Sequence, residues 1–329
     1  MKLASLIPLA ALGLAAVAGP GGAQATGPPS LAWPVACQVG ATCAIQHYVD
    51  RDPSTAVKDY ACGNRTYEGH DGVDIRVPDL AAQRRGVAVT AAADGRVFGV
   101  RDGVADLTAS AAGGAASVAG IECGNRVFIA HPGGFNTGYC HLARGSVAVK
   151  DGDPVKAGQR LGLIGMSGLA DFPHLHFAVS EGDRHIDPFA YGAAAGSCRG
   201  GRSLWREAPA AYEARVVLNA GFTNAVQTME SVEAGGLPPP TAGSQAVIAY
   251  ARAIGLKAGD VQSLTVKAPD GSTWYQNTAE PLPRDQAQRL FFGGRKTPPQ
   301  GWPKGRHEAT YTVKAGAQTV LSRSFTITL

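Results

Sequence analysis

The segment His174–Val179 alternates polar and apolar side chains, a pattern typical of a β-strand with one buried face. In such a strand His174 and His176 point to the same side. The residues between and after them point to the opposite side, into a core: Leu175, Phe177 and Val179. The sequence therefore predicts two imidazoles side by side on one face of a sheet.

A second histidine-bearing strand is predicted just after a glycine-rich hairpin at residues 127–134. Alternation in this strand puts Tyr139 and His141 on one face and Cys140 and Leu142 on the other. Both histidine segments are therefore expected on one sheet.

A third segment places His70 and Asp74 on either side of Gly72. A catalytic zinc site uses three protein ligands, such as imidazole nitrogens and carboxylate oxygens at about 2.0–2.2 Å, and keeps one position for water. His70, Asp74 and one further histidine supply that set. Alone, each motif also fits a loop histidine, a turn aspartate or a half-buried histidine at His141, so it is their joint occurrence that favours zinc. The remaining histidines lack such company and are expected to be structural or exposed: His47, His131, His185 and His307.

This combination resembles the lysostaphin-type zinc metallopeptidases, peptidoglycan endopeptidases marked by His-x-x-x-Asp, Tyr-x-His-Leu and His-x-His. Segments 87–97 and 151–168 also resemble hairpins of that family, so the resemblance covers roughly residues 60–190. One departure is the Ala/Gly/Ser-rich run 107–120, expected to be a flexible insertion near the groove rim. The resemblance implies three zinc ligands and a catalytic pair: His70, Asp74 and His176 as ligands, His141 and His174 as catalysts.

The implied activity is hydrolysis of peptide cross-links in peptidoglycan through a zinc-activated water, with D-alanyl-diaminopimelate bridges as the expected target. A glycyl-glycine endopeptidase is the alternative within the enzyme class. A non-hydrolytic wall-binding or scaffolding protein with a structural zinc is another alternative, although such a site needs no extra histidines beside an open position. The chain lacks a His-Glu-x-x-His motif, so proton transfer and oxyanion stabilisation fall to His141 and His174, in roles the sequence does not divide.

The N-terminus predicts export. Lys2 precedes the apolar run 3–18, and Ala23-Gln24-Ala25 is a small-x-small cleavage signal, so residues 1–25 are predicted to be a secretory signal peptide. The apolar run is shorter than the ~18 residues of a spanning helix, and no later segment is long and apolar enough to span a bilayer. We therefore expect a periplasmic or secreted protein that starts at Thr26.

The charge balance argues against nucleic acid as a partner. The formal net charge is +4, and no basic run exceeds two residues. The expected partner is the peptidoglycan peptide substrate, and a monomer is expected.

Six cysteines favour disulfides in an exported protein. Zinc binding by thiolates is the competing hypothesis, but no Cys-x-x-Cys pair occurs and the histidine site already accounts for a metal. Proximity and the glycine-rich hairpin suggest one connectivity among several that stay open: Cys37–Cys43, Cys123–Cys140 and, by what remains, Cys62–Cys198.

A mainly β chain with two cored domains is expected from the length and the strand signals. After the signal peptide we expect a lead-in segment at 26–60 and an antiparallel β-sheet peptidase domain of the lysostaphin type at 61–200. A C-terminal β-sandwich of immunoglobulin-like type is expected at 201–329. The glycine- and alanine-rich run 191–201 is the expected linker.

The C-terminal part has separated strand signals, with turns at 269–271 and 314–316. A short helix at 246–256 is an alternative to a strand there. The aromatic residues of this part form either a wall-binding face or an ordinary core and rim: Trp274, Tyr275, Phe291, Phe292 and Trp302. The predicted strands are Ala214–Leu218, Ala246–Tyr250, Ser263–Val266, Thr310–Val313 and Phe325–Ile327.

Overall fold

The computed structural model describes residues 27–207 and 211–329. The predicted signal peptide, residues 1–25, lies outside these ranges. The described chain is mainly antiparallel β-structure, as predicted, with two short α-helices. None of the described helices is long and apolar enough to cross a membrane.

An eight-stranded antiparallel sheet organises the first part of the described chain, in the order β1-β2-β9-β6-β5-β4-β7 with β10 paired to β9. Strands β3 and β8 pair separately, and helix α1 follows β2. The three motif segments lie on or beside the adjacent strands β2, β9 and β6. The bounds are β1 Ala44–His47, β2 Gly72–Arg76, α1 Leu80–Arg84, β3 Ala88–Thr90, β4 Gly95–Arg101, β5 Asn125–Ala130, β6 Phe135–Leu142, β7 Pro154–Val155, β8 Arg160–Leu163, β9 His174–Glu181 and β10 Arg184–His185.

An apolar core covers one face of the central strands. Leu175, Phe177 and Val179 of β9 are at most 1% exposed, so the predicted alternation of this strand is present. Leu31, from the predicted lead-in segment, and Trp205, beyond the predicted linker, join the same core. The lead-in segment therefore packs as part of this sheet structure and also supplies β1.

Run 107–120, expected to be a flexible insertion, forms turns and a short 3₁₀ helix at Ala115–Val118. Val118 of that helix is 5% exposed, and the backbone amide of Ala109 donates to the carbonyl of Ala170. The segment therefore packs against the loop that precedes β9.

The three disulfides are the predicted pairs: Cys37–Cys43, Cys62–Cys198 and Cys123–Cys140. No cysteine in the described ranges is free. The thiols are therefore used by cross-links rather than by a metal. The Cys123–Cys140 bridge ties the segment before β5 to β6, next to His141.

Seven strands among the described residues after 211 form two sheets, β11-β12-β15 and β14-β13-β16-β17. Side chains of both sheets share one core, which makes the predicted β-sandwich. Residues 246–256 are a strand, and the helix alternative is wrong. Strands β14 and β15 were not predicted. The bounds are β11 Val216–Thr223, α2 Met229–Ala234, β12 Ala246–Leu256, β13 Asp260–Lys267, β14 Thr273–Thr278, β15 Gln286–Lys296, β16 Arg306–Ala315 and β17 Gln318–Thr328.

The aromatic residues of the sandwich are mainly core. Trp274, Phe291 and Trp302 are at most 9% exposed and pack in the sandwich core. Phe292 is 37% exposed and lies at the surface. This distribution fits a core and rim better than an aromatic binding face.

Candidate metal centre

Three side chains converge on one point of the large sheet. Nε2 of His70 lies 3.2 Å from Oδ1 of Asp74 and 3.3 Å from Nδ1 of His176, and the last two atoms are 3.0 Å apart. Within the described ranges, this is the group of ligand-type side chains that could hold a metal ion. These are the three residues that the family resemblance implies as ligands.

The strand register produces this convergence. Asp74 of β2 and His176 of β9 are direct partners in the antiparallel pair, so their side chains share a face. His70 lies just before β2 begins. Gly72 is required for space, because a Cβ there would lie 2.5 Å from Nε2 of His176 and 2.8 Å from the carbonyl oxygen of Phe177.

Both candidate histidine ligands are oriented through their second ring nitrogens. Nδ1 of His70 donates a hydrogen bond to the carbonyl of Tyr48 at 2.6 Å. Nε2 of His176 lies 3.1 Å from Oδ1 of Asp71. Such partners fix the ring orientation and tautomer, which leaves the inward nitrogen free to bind a metal ion.

The second oxygen of Asp74 has a partner that sequence reasoning missed. His47 is the register partner of Asp74 in the β1–β2 pair, and its Nδ1 lies 2.9 Å from Oδ2. His185 of β10 likewise lies beside the site, 3.5 Å from Oδ2 of Asp71. These two histidines are therefore not remote from the site, and only the strand pairings, which local sequence does not reveal, could have identified them. The other two histidines bond to groups outside the site: His131 and His307.

His141 and His174 stand together beside the three converging atoms, with ring centroids 4.6 Å apart. Nδ1 of His141 is 2.7 Å from the carbonyl of Ser167, and Nδ1 of His174 is 2.8 Å from the carbonyl of Phe172. A carbonyl only accepts, so Nδ1 carries the proton in both rings. In the neutral imidazole each Nε2 therefore keeps a lone pair that can accept a proton.

A β-bulge turns His141 toward the site. The pairing of β5 with β6 shifts register between the partners of Tyr139 and Leu142, and His141 has a left-handed φ of 61°. Tyr139 and Leu142 are both fully buried in the core, whereas Cys140 and His141 line the groove. The predicted faces are therefore wrong from His141 onward, because the extra residue of the bulge reverses the alternation.

Burial and mutual contacts set the protonation of the cluster. Burial lowers the pKa of His141 well below its usual value and that of His174 to about 4, so both rings are neutral at pH 7. Burial also opposes charge on His176, but its hydrogen bonds to Asp71 and Asp74 raise its pKa to about 9. Burial alone would raise the pKa of Asp74, yet the surrounding histidines, His174 foremost, hold it well below its usual range. The carboxylate is therefore ionised, and a metal ion would compete with a proton for His176.

The site opens into a groove of about 480 Å³ that both His141 and His176 line. One wall is apolar, with Phe98 and Phe128 stacked at 5.9 Å between ring centroids and Leu169 44% exposed. His141 and His176 are therefore reached from solvent through this groove.

Residues 68–188 match the family described as peptidase family M23. An uncharacterised metalloprotease of Haemophilus influenzae is 34% identical over 119 residues, which is 36% of this chain and 20% of that protein. Peptidoglycan DD-endopeptidase ShyB of Vibrio cholerae is 41% identical over 64 residues, which is 20% of this chain and 15% of that protein. The chain spans a fifth or less of the length of these relatives.

Among solved structures, the catalytic domain of lysostaphin from Staphylococcus simulans is 23% identical, with a TM-score of 0.30, over 44% of this chain and 87% of that one. The matched region 68–188 contains the whole histidine and aspartate cluster: His70, Asp74, His141, His174 and His176. Through this region the chain is similar to peptidase family M23.

Proposed function

We propose that this protein is an exported zinc metalloendopeptidase that hydrolyses peptide cross-links of peptidoglycan. The observation that carries the proposal is the convergence of His70, Asp74 and His176 within 3.3 Å, beside two neutral imidazoles and an open groove. The similarity to a DD-endopeptidase supports the substrate class.

The donor set fits zinc. Two imidazole nitrogens and one carboxylate oxygen are the ligands of many catalytic zinc sites, and an ionised Asp74 supplies negative charge. His70 and His176 have outer partners that aim their free nitrogens inward. A bound zinc ion supplies Lewis acidity, which polarises a carbonyl and lowers the pKa of a coordinated water to about 7.

The two remaining histidines carry the proton transfers. Because His141 and His174 are neutral and unprotonated at Nε2, one ring can accept the proton of the attacking water. The resulting imidazolium then donates that proton to the leaving amine nitrogen. Stabilising the developing oxyanion would require the other ring to take up a proton from solvent at Nε2 and to donate it in a hydrogen bond to that oxygen. We assign these roles to the pair and not to either ring.

The proposed bond is the D-alanyl-diaminopimelate cross-link, with the glycyl-glycine bridge as the alternative. Export is supported by three disulfides, which form and persist in oxidising compartments. The signal peptide at 1–25 remains a prediction.

Digestion of purified sacculi tests the function directly. Protein with one equivalent of zinc should release cross-link fragments whose masses identify the cleaved bond, and chelated protein should release none. Two synthetic bridge peptides, one of each chemistry, separate the proposed bond from the alternative. Zinc-loaded protein that binds sacculi but releases no fragment would support the non-hydrolytic scaffold instead.

A further inference from the structure

A buried charged cluster joins the peptidase sheet to the C-terminal sandwich. Arg76, the last residue of β2, is 1% exposed, and its Nη2 lies 3.1 and 3.0 Å from the two carboxylate oxygens of Glu233 in α2. Arg252 of β12 is fully buried and donates to the same carboxylate. Gln46 of β1 accepts from Nη1 of Arg76 at 3.1 Å. One carboxylate of the sandwich therefore fixes the guanidinium of a peptidase-domain strand.

The other side of Arg76 faces the active site. Arg76 and His174 are direct partners in the β2–β9 register. The guanidinium carbon of Arg76 lies 4.5 Å from the ring centroid of Phe172, within the range of a cation–π contact. The Phe172 ring lies 4.5 Å from the ring of His174. The carbonyl of Phe172 accepts the Nδ1 proton that sets the His174 tautomer.

These contacts form a continuous chain from Glu233 through Arg76 and Phe172 to His174. A guanidinium that has lost its carboxylate partner in a buried site must turn toward another acceptor. Because the Phe172 ring packs on that guanidinium, the backbone carbonyl of Phe172 would move when the guanidinium moves. A shift of about 1 Å in a catalytic group, caused far from the chemistry, can cost up to ~10²-fold in rate.

We propose that Glu233 and Arg76 are positioning residues for His174, so that the C-terminal sandwich is part of what makes the peptidase site competent. The kinetic part of this inference rests on the proposed function. The five clustered residues all lie before residue 189, so without this contact the second domain would be expected to be dispensable for cleavage.

The first test is Glu233→Gln in the full-length protein. Turnover of a soluble bridge peptide should fall about tenfold in kcat, with KM and zinc content unchanged, because only the histidine geometry is disturbed. The matched control is Asn64→Ala, which removes another bond between the two domains, from Asn64 to Asp285 at 2.6 Å, that does not touch Arg76. Equal loss of kcat in both variants would overturn the proposal in favour of general loosening of the interface.

A second variant covers the case in which Glu233→Gln does not fold. Phe172→Leu leaves the charged cluster intact and removes the ring between Arg76 and His174, so it should lower kcat by a similar factor. If one chain of contacts carries the effect, the double variant should be no worse than the poorer single one. Multiplying effects, or an unchanged kcat in Phe172→Leu, would overturn the proposal.

A measurement without catalysis separates this inference from the proposed function. Backbone amide hydrogen exchange of residues 170–176, measured on zinc-free protein, should speed up in Glu233→Gln and stay at the wild-type rate in Asn64→Ala. Wild-type protein that hydrolyses no bridge peptide would overturn the proposed function alone. Unchanged exchange in Glu233→Gln would overturn the positioning role alone.

Discussion

Two buried aspartates show how differently the two halves of the molecule use the same side chain. Asp260, 1% exposed in the sandwich, accepts two hydrogen bonds from Arg215, at 2.6 and 2.7 Å. Asp74, 3% exposed in the large sheet, lies within 3.5 Å of imidazole nitrogens of four histidines, two of which are the candidate ligands. A carboxylate held by a permanent cation fits a structural role, whereas one surrounded by imidazoles, whose nitrogens can also bind a metal ion, fits a metal site.

The largest expected effect comes from removing the carboxylate of Asp74. Asp74→Ala removes one of three ligands, so zinc content should fall from about one per chain to near zero, and hydrolysis should be abolished. Metal analysis after dialysis, together with the sacculus assay, measures both. Asp183→Ala, in the exposed turn between β9 and β10, is the control and should keep its zinc. Full zinc content in Asp74→Ala would overturn the ligand assignment.

The next largest effect should separate catalysis from metal binding. His141→Ala and His174→Ala should each lower kcat by about 10²-fold or more with zinc retained, because neither ring is needed as a ligand. Zinc content and bridge-peptide turnover, measured on the same samples, test this. Near-normal turnover would make that histidine structural, and loss of zinc with the fold intact would mean that a ligand had been assigned as a catalyst.

A smaller effect should come from changing Asp71, which contacts the candidate ligand His176. Asp71→Asn replaces the carboxylate beside Nε2 of His176 with a neutral amide, so the ring becomes a weaker ligand. Zinc affinity measured by chelator competition should fall by about 10- to 100-fold, while saturating zinc restores hydrolysis. Asp183→Asn is the matched control. An unchanged affinity would show that Asp71 does not support the site.

The joint occurrence of three motifs and the family resemblance pointed to five residues, and the structure brings these five together. His174 and His176 follow from alternation within one strand, and the three cysteine pairs agree with simple proximity and elimination. His47 and Asp71 could not be assigned, because their partners are set by strand register and by side-chain geometry rather than by spacing. The direction of His141 was missed because a bulge, which leaves no clear local signal, reverses the alternation.

The ion pair between Glu233 and Arg76, which joins the two domains, could not be predicted from the sequence for a similar reason. Glu233 lies in a short helix that no strand pattern predicted, 157 residues from the arginine it binds. Both side chains are typical surface residues in sequence terms, so nothing local marks them as buried partners. Long-range ion pairs of this kind become visible only when the two sheets are placed together.

The smallest expected effect on activity comes from changing Asp260, the buried aspartate of the sandwich. Asp260→Asn weakens the two charge-assisted bonds from Arg215 but leaves Arg76, Glu233 and the metal centre untouched. Unfolding free energy should fall by about 1.5–3 kcal/mol, since bonds between charged groups contribute on that order. Zinc affinity and kcat should stay at the wild-type values at 25 °C, where the native state still predominates. Denaturant unfolding, chelator competition and peptide turnover measure the three quantities. If zinc affinity fell together with stability, the two aspartates would not be independent, and the distinction between a structural carboxylate and a metal-binding one would fail for this protein.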